Sequence, residues 1–237
     1  MTLVRHGVVV GNGMLSRAFA PTVAAGPFIR CLFASGVSNS ACEDSTHFAR
    51  ERSLLVDSLE HHRDLESFVY FGTCAATVAG NEGSAYVRHK MAMEALVLAQ
   101  DNGRVVRLPQ VAGPHASRYT LLSVLCSRIK LGLPVVVRAQ ATRNIIDVAD
   151  VVPLVNAWLS SSDGPPRMIN IANTNSYPVL AIVETIETVL GICAHREVLS
   201  AGEPYDVDTS AMVPLMAECG VVFDDGYVAR LIARYYR

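Results

Sequence analysis

Two side chains whose spacing suits acid–base chemistry, Tyr86 and Lys90, are four residues apart in a segment of helical composition. Residues four apart in an α-helix lie on the same face, about one turn from each other. A free tyrosine has a pKa of about 10, and a nearby ammonium lowers that pKa because it favours the phenolate. Thr73, which ends the preceding apolar segment, supplies a hydroxyl for the same substrate oxygen. The spacing predicts a tyrosine that exchanges a proton with a substrate, although the solvent face of an amphipathic helix would also accommodate the pair.

A glycine-rich turn near the N-terminus predicts a dinucleotide site. The apolar run Val8–Val10 leads into Gly11-Asn12-Gly13-Met14-Leu15-Ser16, and a helix is expected to follow. In such a unit the first glycine permits the tight turn and the second lets the backbone approach a pyrophosphate. Free N–H groups and the helix dipole favour the anion there. Ser16 is small enough for the third position of the motif.

The remaining chain alternates between predicted strands and helices, which is typical of an α/β protein with a Rossmann-like, doubly wound parallel sheet. Strands are predicted at 8–10, 28–33, 68–71, 105–108, 134–138, 145–148 and 168–171, and helices at 44–62, 85–100, 119–131, 151–159, 178–190, 209–218 and 226–236. A chain of 237 residues is long enough for one large domain with a small appended lobe.

Composition and charge exclude several functional classes. The hydrophobic fraction of 51% and charged fraction of 18% suit a sheet covered on both faces by helices. A net charge of −2 and a pI near 6.4 give no reason to expect a nucleic acid or an anionic membrane as partner. The six cysteines are scattered without a CxxC or Cys/His cluster, which indicates reduced thiols and no metal site. We therefore expect a cytoplasmic protein.

Several segments occur in a characteristic order: the glycine turn, Phe33-Ala34-Ser35-Gly36, the strand that ends at Thr73, the Tyr86 to Lys90 segment, Arg107-Leu108-Pro109-Gln110-Val111-Ala112-Gly113-Pro114, Arg143 to Val151, and Asn170-Ile171-Ala172. Together they resemble the NAD-dependent epimerase/dehydratase family of extended short-chain dehydrogenase/reductases, which acts on nucleotide sugars. The resemblance implies one NAD(P)-binding Rossmann-like domain over 1–237, with a small C-terminal substrate lobe built from about 112–145 and 173–237. It implies NAD or NADP as cofactor and a nucleotide sugar as substrate, and it allows for a homodimer formed through the helices predicted at 44–62 and 85–100.

The resemblance also implies roles for matched positions. Tyr86 would be the catalytic acid/base, Lys90 would lower its pKa and hold the nicotinamide ribose, and Thr73 would be the catalytic hydroxyl. A match anchored on Ala76-Thr77-Val78-Ala79-Gly80 would place Ala75 at the hydroxyl position, but counting from the strand start favours Thr73. Cofactor contacts are implied for Gly11, Asn12, Gly13, Met14, Leu15, Arg17, Ala34, Ser35, Gly36, Lys90, Pro109, Gln110 and Val111, and substrate contacts for Ser38, Asn39, Cys74, Gln110 and Arg143. Arg143 would clamp a diphosphate with its guanidinium fork, or instead form a surface ion pair with Asp147 or Asp150.

The N-terminal half departs from the family pattern. Only about 20 residues separate Gly13 from Ala34, whereas a βαβ unit takes roughly 30 or more, so one or two strands with their helices are expected to be absent. No Asp or Glu precedes Glu43, and the acidic residue that would bind the adenine ribose of NAD is therefore missing. Arg17 and Arg30 could instead meet the 2′-phosphate of NADP, or could simply be solvated.

Two functions of different classes follow from these features. The first is an NAD(P)-dependent epimerase or reductase acting on a nucleotide-linked sugar, in surface polysaccharide or glycoside biosynthesis. Thr73 precedes Cys74-Ala75 rather than the Asp-Glu pair of sugar dehydratases, which favours epimerase or reductase chemistry. The second is a non-catalytic relative that binds a dinucleotide or nucleotide sugar as a sensor or scaffold, an alternative favoured by the shortened N-terminal half.

Overall fold

The computed structural model describes residues 7–25, 29–78, 80, 83–161 and 166–237. In chain order its elements are β1 (Val8–Val10), α1 (Met14–Ala25), β2 (Arg30–Phe33), α2 (Ser45–His61), β3 (Ser67–Thr73), α3 (Ala85–Leu98), β4 (Gly103–Leu108), β5 (Gln110–Ala112), α4 (Leu121–Lys130), β6 (Val135–Arg138), β7 (Thr142–Asp147), α5 (Val148–Ser160), β8 (Met168–Asn170), β9 (Ser176–Pro178), α6 (Val179–Leu190), β10 (Arg196–Leu199), α7 (Val213–Cys219) and α8 (Tyr227–Tyr235). Short 3₁₀ helices cover Cys74–Thr77 and Ser210–Met212.

The central sheet is parallel and has the strand order β1-β2-β3-β4-β8. Successive residues of β3 point to opposite faces, as the two-residue period of a strand requires. Val69 and Phe71 pack in the core that includes Phe19 of α1, and Phe68 and Tyr70 pack in the core formed with α2 and α3. Helices therefore cover both faces, which confirms the predicted α/β class.

The short N-terminal half is reflected at the β1 edge of the central sheet. In the described residues no strand pairs with the outer edge of β1, in agreement with the short spacing between the glycine turn and β2.

The connections through α1 and α2 advance across the sheet in the same direction, yet α1 and α2 cover opposite faces. The two crossovers therefore have opposite hands, and one of them departs from the right-handed rule that nearly all parallel crossovers obey.

Two small sheets, which the sequence analysis did not predict as sheets, extend the molecule beyond β4. The strands β5, β7 and β9 form one of them, and β6 pairs in parallel with β10 in the other. The segment predicted as a strand at 145–148 ends at Asp147, whose carboxylate caps α5 by accepting from Ala149 N–H. Two tyrosine hydroxyls of α8, those of Tyr227 and Tyr235, donate to Asp150 and Asp147. These contacts fasten α8 to the start of α5.

The strand predicted at 28–33 begins at Arg30 in the structure, and residues 26–28 lie outside the described part of the chain. No helix among the described residues is long and apolar enough to cross a membrane. Within the same residues, His, Cys, Asp and Glu side chains form no group of three or more that could hold a metal ion.

Candidate functional site

A cleft of about 820 Å³ lies at the carboxyl ends of the central strands, where the glycine turn, β2, β3 and β4 meet segments of the smaller sheets. Thr73, Tyr86 and Lys90 all line it. Further predicted cofactor and substrate residues in the lining are Asn12, Gly13, Met14, Leu15, Ala34, Ser35, Gly36, Ser38, Pro109, Gln110, Val111 and Arg143. Gly11, Arg17, Asn39 and Cys74 lie outside the lining, and the Cys74 side chain is fully buried. The structure thus gathers most of the predicted site in one place.

The two glycines of the turn have different surroundings. Gly11 has a φ of +130°, and a Cβ there would stand 2.5 Å from the carbonyl oxygen of Ala34. A Cβ on Gly13 would meet nothing within 4 Å. The buried Ser16 hydroxyl donates to the Gly13 carbonyl, and Arg17 Nε donates to the Asn12 carbonyl. Gly11 is therefore required by the fold, whereas Gly13 leaves open space at the N-terminus of α1.

Tyr86 enters the cleft from the first turn of α3, which Ser84 caps by accepting from Val87 N–H. Its ring is buried, and burial raises the pKa of its phenol; Glu51 and Glu94 raise that pKa further. Hydrogen bonding with the Thr73 hydroxyl lowers the same pKa, but the pKa as a whole is raised because burial dominates, so the lowered Tyr86 pKa expected from Lys90 is not found in this structure. Thr73 ends β3, and its Oγ1 also accepts from Ala75 N–H at 3.2 Å. Of the two registers considered from sequence, the one through Thr73 brings a hydroxyl to Tyr86.

Lys90 lies one turn further along α3, and its ammonium is bound by groups that the sequence analysis did not identify. Nζ donates to Glu51 Oε1 at 3.1 Å and to the Tyr70 hydroxyl at 2.9 Å. Burial lowers the pKa of Lys90, and the Glu51 carboxylate raises it. A signal for Glu51 was present in the sequence, since it occupies a helical stripe with Phe48 and Leu55 that otherwise faces the core.

Two arginines on strands of the smaller sheets line the cleft. Arg143 of β7 is half-buried and donates to its neighbour's carbonyl, that of Thr142. Burial lowers the pKa of Arg143, and the nearby Arg138 guanidinium lowers it further. Arg138, which sequence analysis missed, ends β6, where the exposed and buried residues alternate. The two arginines bring positive charge to the cleft, and Glu203 is a carboxylate in the same lining.

The alternative ion pair between Arg143 and Asp147 or Asp150 is not formed in the described structure. The Asp147 carboxylate accepts from Tyr235 and lies 3.5 Å from Arg234, and Asp150 accepts from Tyr227. Tyr205 is a further lining residue missed from sequence; it interacts with the Thr73 hydroxyl and lies near Arg143. Its segment carries no periodic signal that would have identified it.

The structure places Arg30 away from the position expected for it beside the cofactor. Arg30 is the first residue of β2, whereas the segment implied to contact the cofactor begins at Ala34, directly after the last residue of that strand. At about 3.3 Å per residue, the strand places them roughly 10 Å or more apart. The Arg30 guanidinium donates to the Leu159 carbonyl of α5. The predicted contact of Arg30 with a 2′-phosphate is therefore wrong, and Arg17, which is exposed beside the glycine turn, remains the arginine at that end.

Comparisons with known proteins agree with this geometry. A family model described as the NAD dependent epimerase/dehydratase family matches residues 54–172, half of the chain. The chain therefore belongs to the NAD-dependent epimerase/dehydratase family. A comparison with curated proteins gives no match.

Several solved structures share the fold at low sequence identity. MoeE5 in complex with UDP-glucuronic acid and NAD has a TM-score of 0.72 and 15% identity, over 96% of this chain and 97% of that chain. UDP-glucuronic acid 4-epimerase from Bacillus cereus, in complex with UDP-glucuronic acid and NAD, has a TM-score of 0.67 and 18% identity, over 94% and 77%. RMD from Pseudomonas aeruginosa complexed with NADPH has a TM-score of 0.70 and 16% identity, over 96% and 97%. These likenesses establish the Rossmann-like fold.

Proposed function

We propose that the protein is an NAD(P)-dependent epimerase or reductase that acts on a nucleotide-linked sugar in the cytoplasm. The observation that carries the proposal is the convergence of Thr73, Tyr86 and Lys90 with the open glycine turn in one cleft. Family membership supports the general class of chemistry. The relatives of like fold that bind UDP-glucuronic acid with NAD support a nucleotide-sugar substrate. Surface polysaccharide or glycoside biosynthesis is the process we infer from such a substrate.

The residues at the glycine turn fit a dinucleotide. Gly13 leaves room for a pyrophosphate at the N-terminus of α1, where unpaired N–H groups and the helix dipole favour an anion. Ala34 to Gly36 and Pro109 to Val111 would flank the rest of the cofactor. When bound, a nicotinamide supplies or accepts the hydride of the reaction.

Tyr86 would move the proton that accompanies this transfer. In the reducing direction its phenol, which the raised pKa keeps protonated, would donate to the carbonyl oxygen of the sugar. The oxidising direction needs the phenolate as the base for the sugar hydroxyl, and the raised pKa disfavours that form. Thr73 would hydrogen-bond the same oxygen and fix it beside Tyr86, since the two hydroxyl-bearing side chains already interact. Lys90, which lines the cleft one turn from Tyr86, would bind the nicotinamide ribose.

Arg143 and Arg138 would bind the diphosphate of the substrate. Both residues line the cleft from strands of the smaller sheets, whereas the glycine turn follows a strand of the central sheet, so we expect a nucleotide sugar and a dinucleotide to occupy different halves. A guanidinium offers the planar, bidentate donors that suit phosphate oxygens. A homodimer formed through α2 and α3 stays a prediction.

The second candidate function is non-catalytic binding of a dinucleotide or nucleotide sugar. One observation favours it: the described sheet has no strand beyond β1, on the side where an adenosine pocket would be built. The deciding experiment is to incubate the protein with each reduced and oxidised cofactor and a panel of nucleotide sugars, and to follow nicotinamide absorbance and sugar products. Epimerised or reduced product that disappears in Tyr86→Phe supports the enzyme. Binding of a nucleotide sugar without any product supports the alternative.

A further inference from the structure

Glu51 of α2 is a fully buried carboxylate whose two oxygens both have partners on other elements. Oε1 accepts from the Tyr70 hydroxyl at 2.6 Å and from Lys90 Nζ at 3.1 Å. Oε2 accepts from Val37 N–H at 2.6 Å and lies 3.0 Å from His89 Nε2. One side chain therefore joins α2 to β3, to α3 and to the backbone of the loop that follows β2.

Lys90 depends on this carboxylate for its charge. A buried ammonium without a counter-charge is strongly disfavoured and loses its proton instead. Among the described residues, Glu51 is the carboxylate within ion-pair distance of Lys90. The other carboxylate near Lys90, Glu94, accepts from Arg107 Nε at Oε1 and from Arg107 Nη2 at Oε2, a bidentate pair. Further groups that face the Lys90–Glu51 pair are Tyr70 on β3, and Tyr86 and His89 on α3.

The Lys90–Glu51 pair occupies space that is free because residue 36 is a glycine. A Cβ on Gly36 would stand 2.4 Å from Lys90 Nζ and 2.9 Å from Glu51 Oε1. Real Cβ atoms essentially never approach that closely, so a side chain here would displace the ammonium. Gly36 belongs to the segment implied to contact the cofactor and lines the cleft. The loop and the ion pair are thus fitted to each other.

We propose that Glu51 is a positioning residue of this site, which supplies the counter-charge that holds the Lys90 ammonium at the carboxyl end of β3 while its other oxygen fixes the Val37 loop. It acts through Lys90 and the loop and does not itself touch the substrate. Its relevance to catalysis rests on the proposed function. The ion pair itself can be tested without any activity.

The test compares unfolding by urea of the wild type, Glu51→Gln, and the double variant Glu51→Gln with Lys90→Met, from about pH 7 to about pH 9, below the pKa of about 10.4 of a free lysine. Without Glu51, the folded protein releases the Lys90 proton that the unfolded chain keeps. The unfolded state then binds more protons, so stability rises with pH. The unfolding equilibrium constant of Glu51→Gln should fall more steeply with pH than that of the wild type, by up to about tenfold per pH unit.

The double variant is the matched control, because it lacks both charges and keeps every other titratable group. Its pH dependence should return to that of the wild type. If Glu51→Gln fails to fold and the double variant folds, the uncompensated lysine is responsible and the proposal is supported. If Glu51→Gln follows the wild-type pH dependence, or if both variants fail to fold, Glu51 does not act through Lys90 and the proposal is overturned.

The catalytic consequence has a separate readout. In Glu51→Gln the turnover should decrease as pH rises through the range in which Lys90 loses its proton, by about tenfold per pH unit, whereas a purely structural defect would lower turnover equally at each pH. A wild type without cofactor binding or turnover would contradict the proposed function and leave the unfolding result valid. An unchanged unfolding profile would contradict the role of Glu51 even in an active enzyme.

Discussion

Gly11 and Ala34 are in direct backbone contact across the top of the sheet. A Cβ on Gly11 would lie 2.5 Å from the Ala34 carbonyl oxygen, and Ala34 N–H donates to the Val10 carbonyl at 2.8 Å. Gly13, two residues later in the same turn, faces open space. The two glycines of one motif therefore have different tasks, since the first lets the turn pass the end of β2 and the second leaves the cleft open.

Replacement of Gly11 and of Gly13 by alanine should have different effects on stability. Gly11→Ala should lower the free energy of unfolding by about 1–3 kcal/mol, because its φ of +130° and its contact with Ala34 both disfavour a side chain. Gly13→Ala should change that free energy by less than about 1 kcal/mol. Urea denaturation measures both variants under the same conditions. Equal destabilisation by the two changes would show that the turn has a different conformation.

Removal of the Tyr86 hydroxyl should abolish proton transfer and keep the fold. We expect Tyr86→Phe to lower turnover by a factor on the order of 10² or more with little change in thermal stability, because the buried ring is retained. Tyr119→Phe, at an exposed position outside the cleft lining, is the control. Turnover of Tyr86→Phe at the wild-type level would exclude Tyr86 from the mechanism.

Cofactor choice is predicted to depend on Arg17. If its guanidinium meets a 2′-phosphate, the wild type binds NADP(H) more tightly than NAD(H), and the difference shrinks at high salt. Arg17→Ala should then weaken NADP(H) and leave NAD(H) unchanged, as measured by fluorescence titration. Arg52→Ala, an exposed arginine of α2 outside the cleft lining, controls for the loss of surface charge. An equal loss for both cofactors would show that Arg17 does not distinguish them.

A substitution at Arg143 tests whether this part of the cleft binds the substrate. Arg143→Lys keeps the charge and removes the planar fork, so it should weaken binding of a nucleotide sugar by about tenfold and leave dinucleotide binding intact. Calorimetric titration of this variant with each ligand gives the two affinities. A loss of dinucleotide affinity with unchanged nucleotide-sugar affinity would contradict the placement of Arg143.

The elements of the central sheet could be predicted because burial imposes clear patterns on them. Apolar runs such as the one ending at Thr73 and the amphipathic helix α2 are set by local composition and periodicity. The strands β5, β9 and β10 were missed because each begins with a polar residue and none is a continuous apolar run, and β10 is exposed along its whole length. Their pairing depends on partners distant in sequence.

The candidate site also contains residues that the sequence could indicate and residues that it could not. Residues within a local motif, such as Gly13 or Tyr86, could be proposed from the spacing of the motif together with the order of the segments around it. Glu51 lies 39 residues from Lys90 in sequence, and Tyr205 reaches Thr73 from a segment after β10, so only the folded chain shows these contacts. Arg30 was misplaced because sequence spacing from the glycines does not reveal which end of β2 it occupies.

The most direct test of the account is a titration of the wild type, Tyr86→Phe and Gly13→Ala with NADH and NADPH, followed by nicotinamide fluorescence. We expect saturable binding of at least one cofactor by the wild type and by Tyr86→Phe. Gly13→Ala should lose at least about tenfold in affinity, because its new methyl group would occupy the space that a pyrophosphate needs. No binding by the wild type, or equal binding by all three proteins, would contradict the assignment of this cleft as a dinucleotide site.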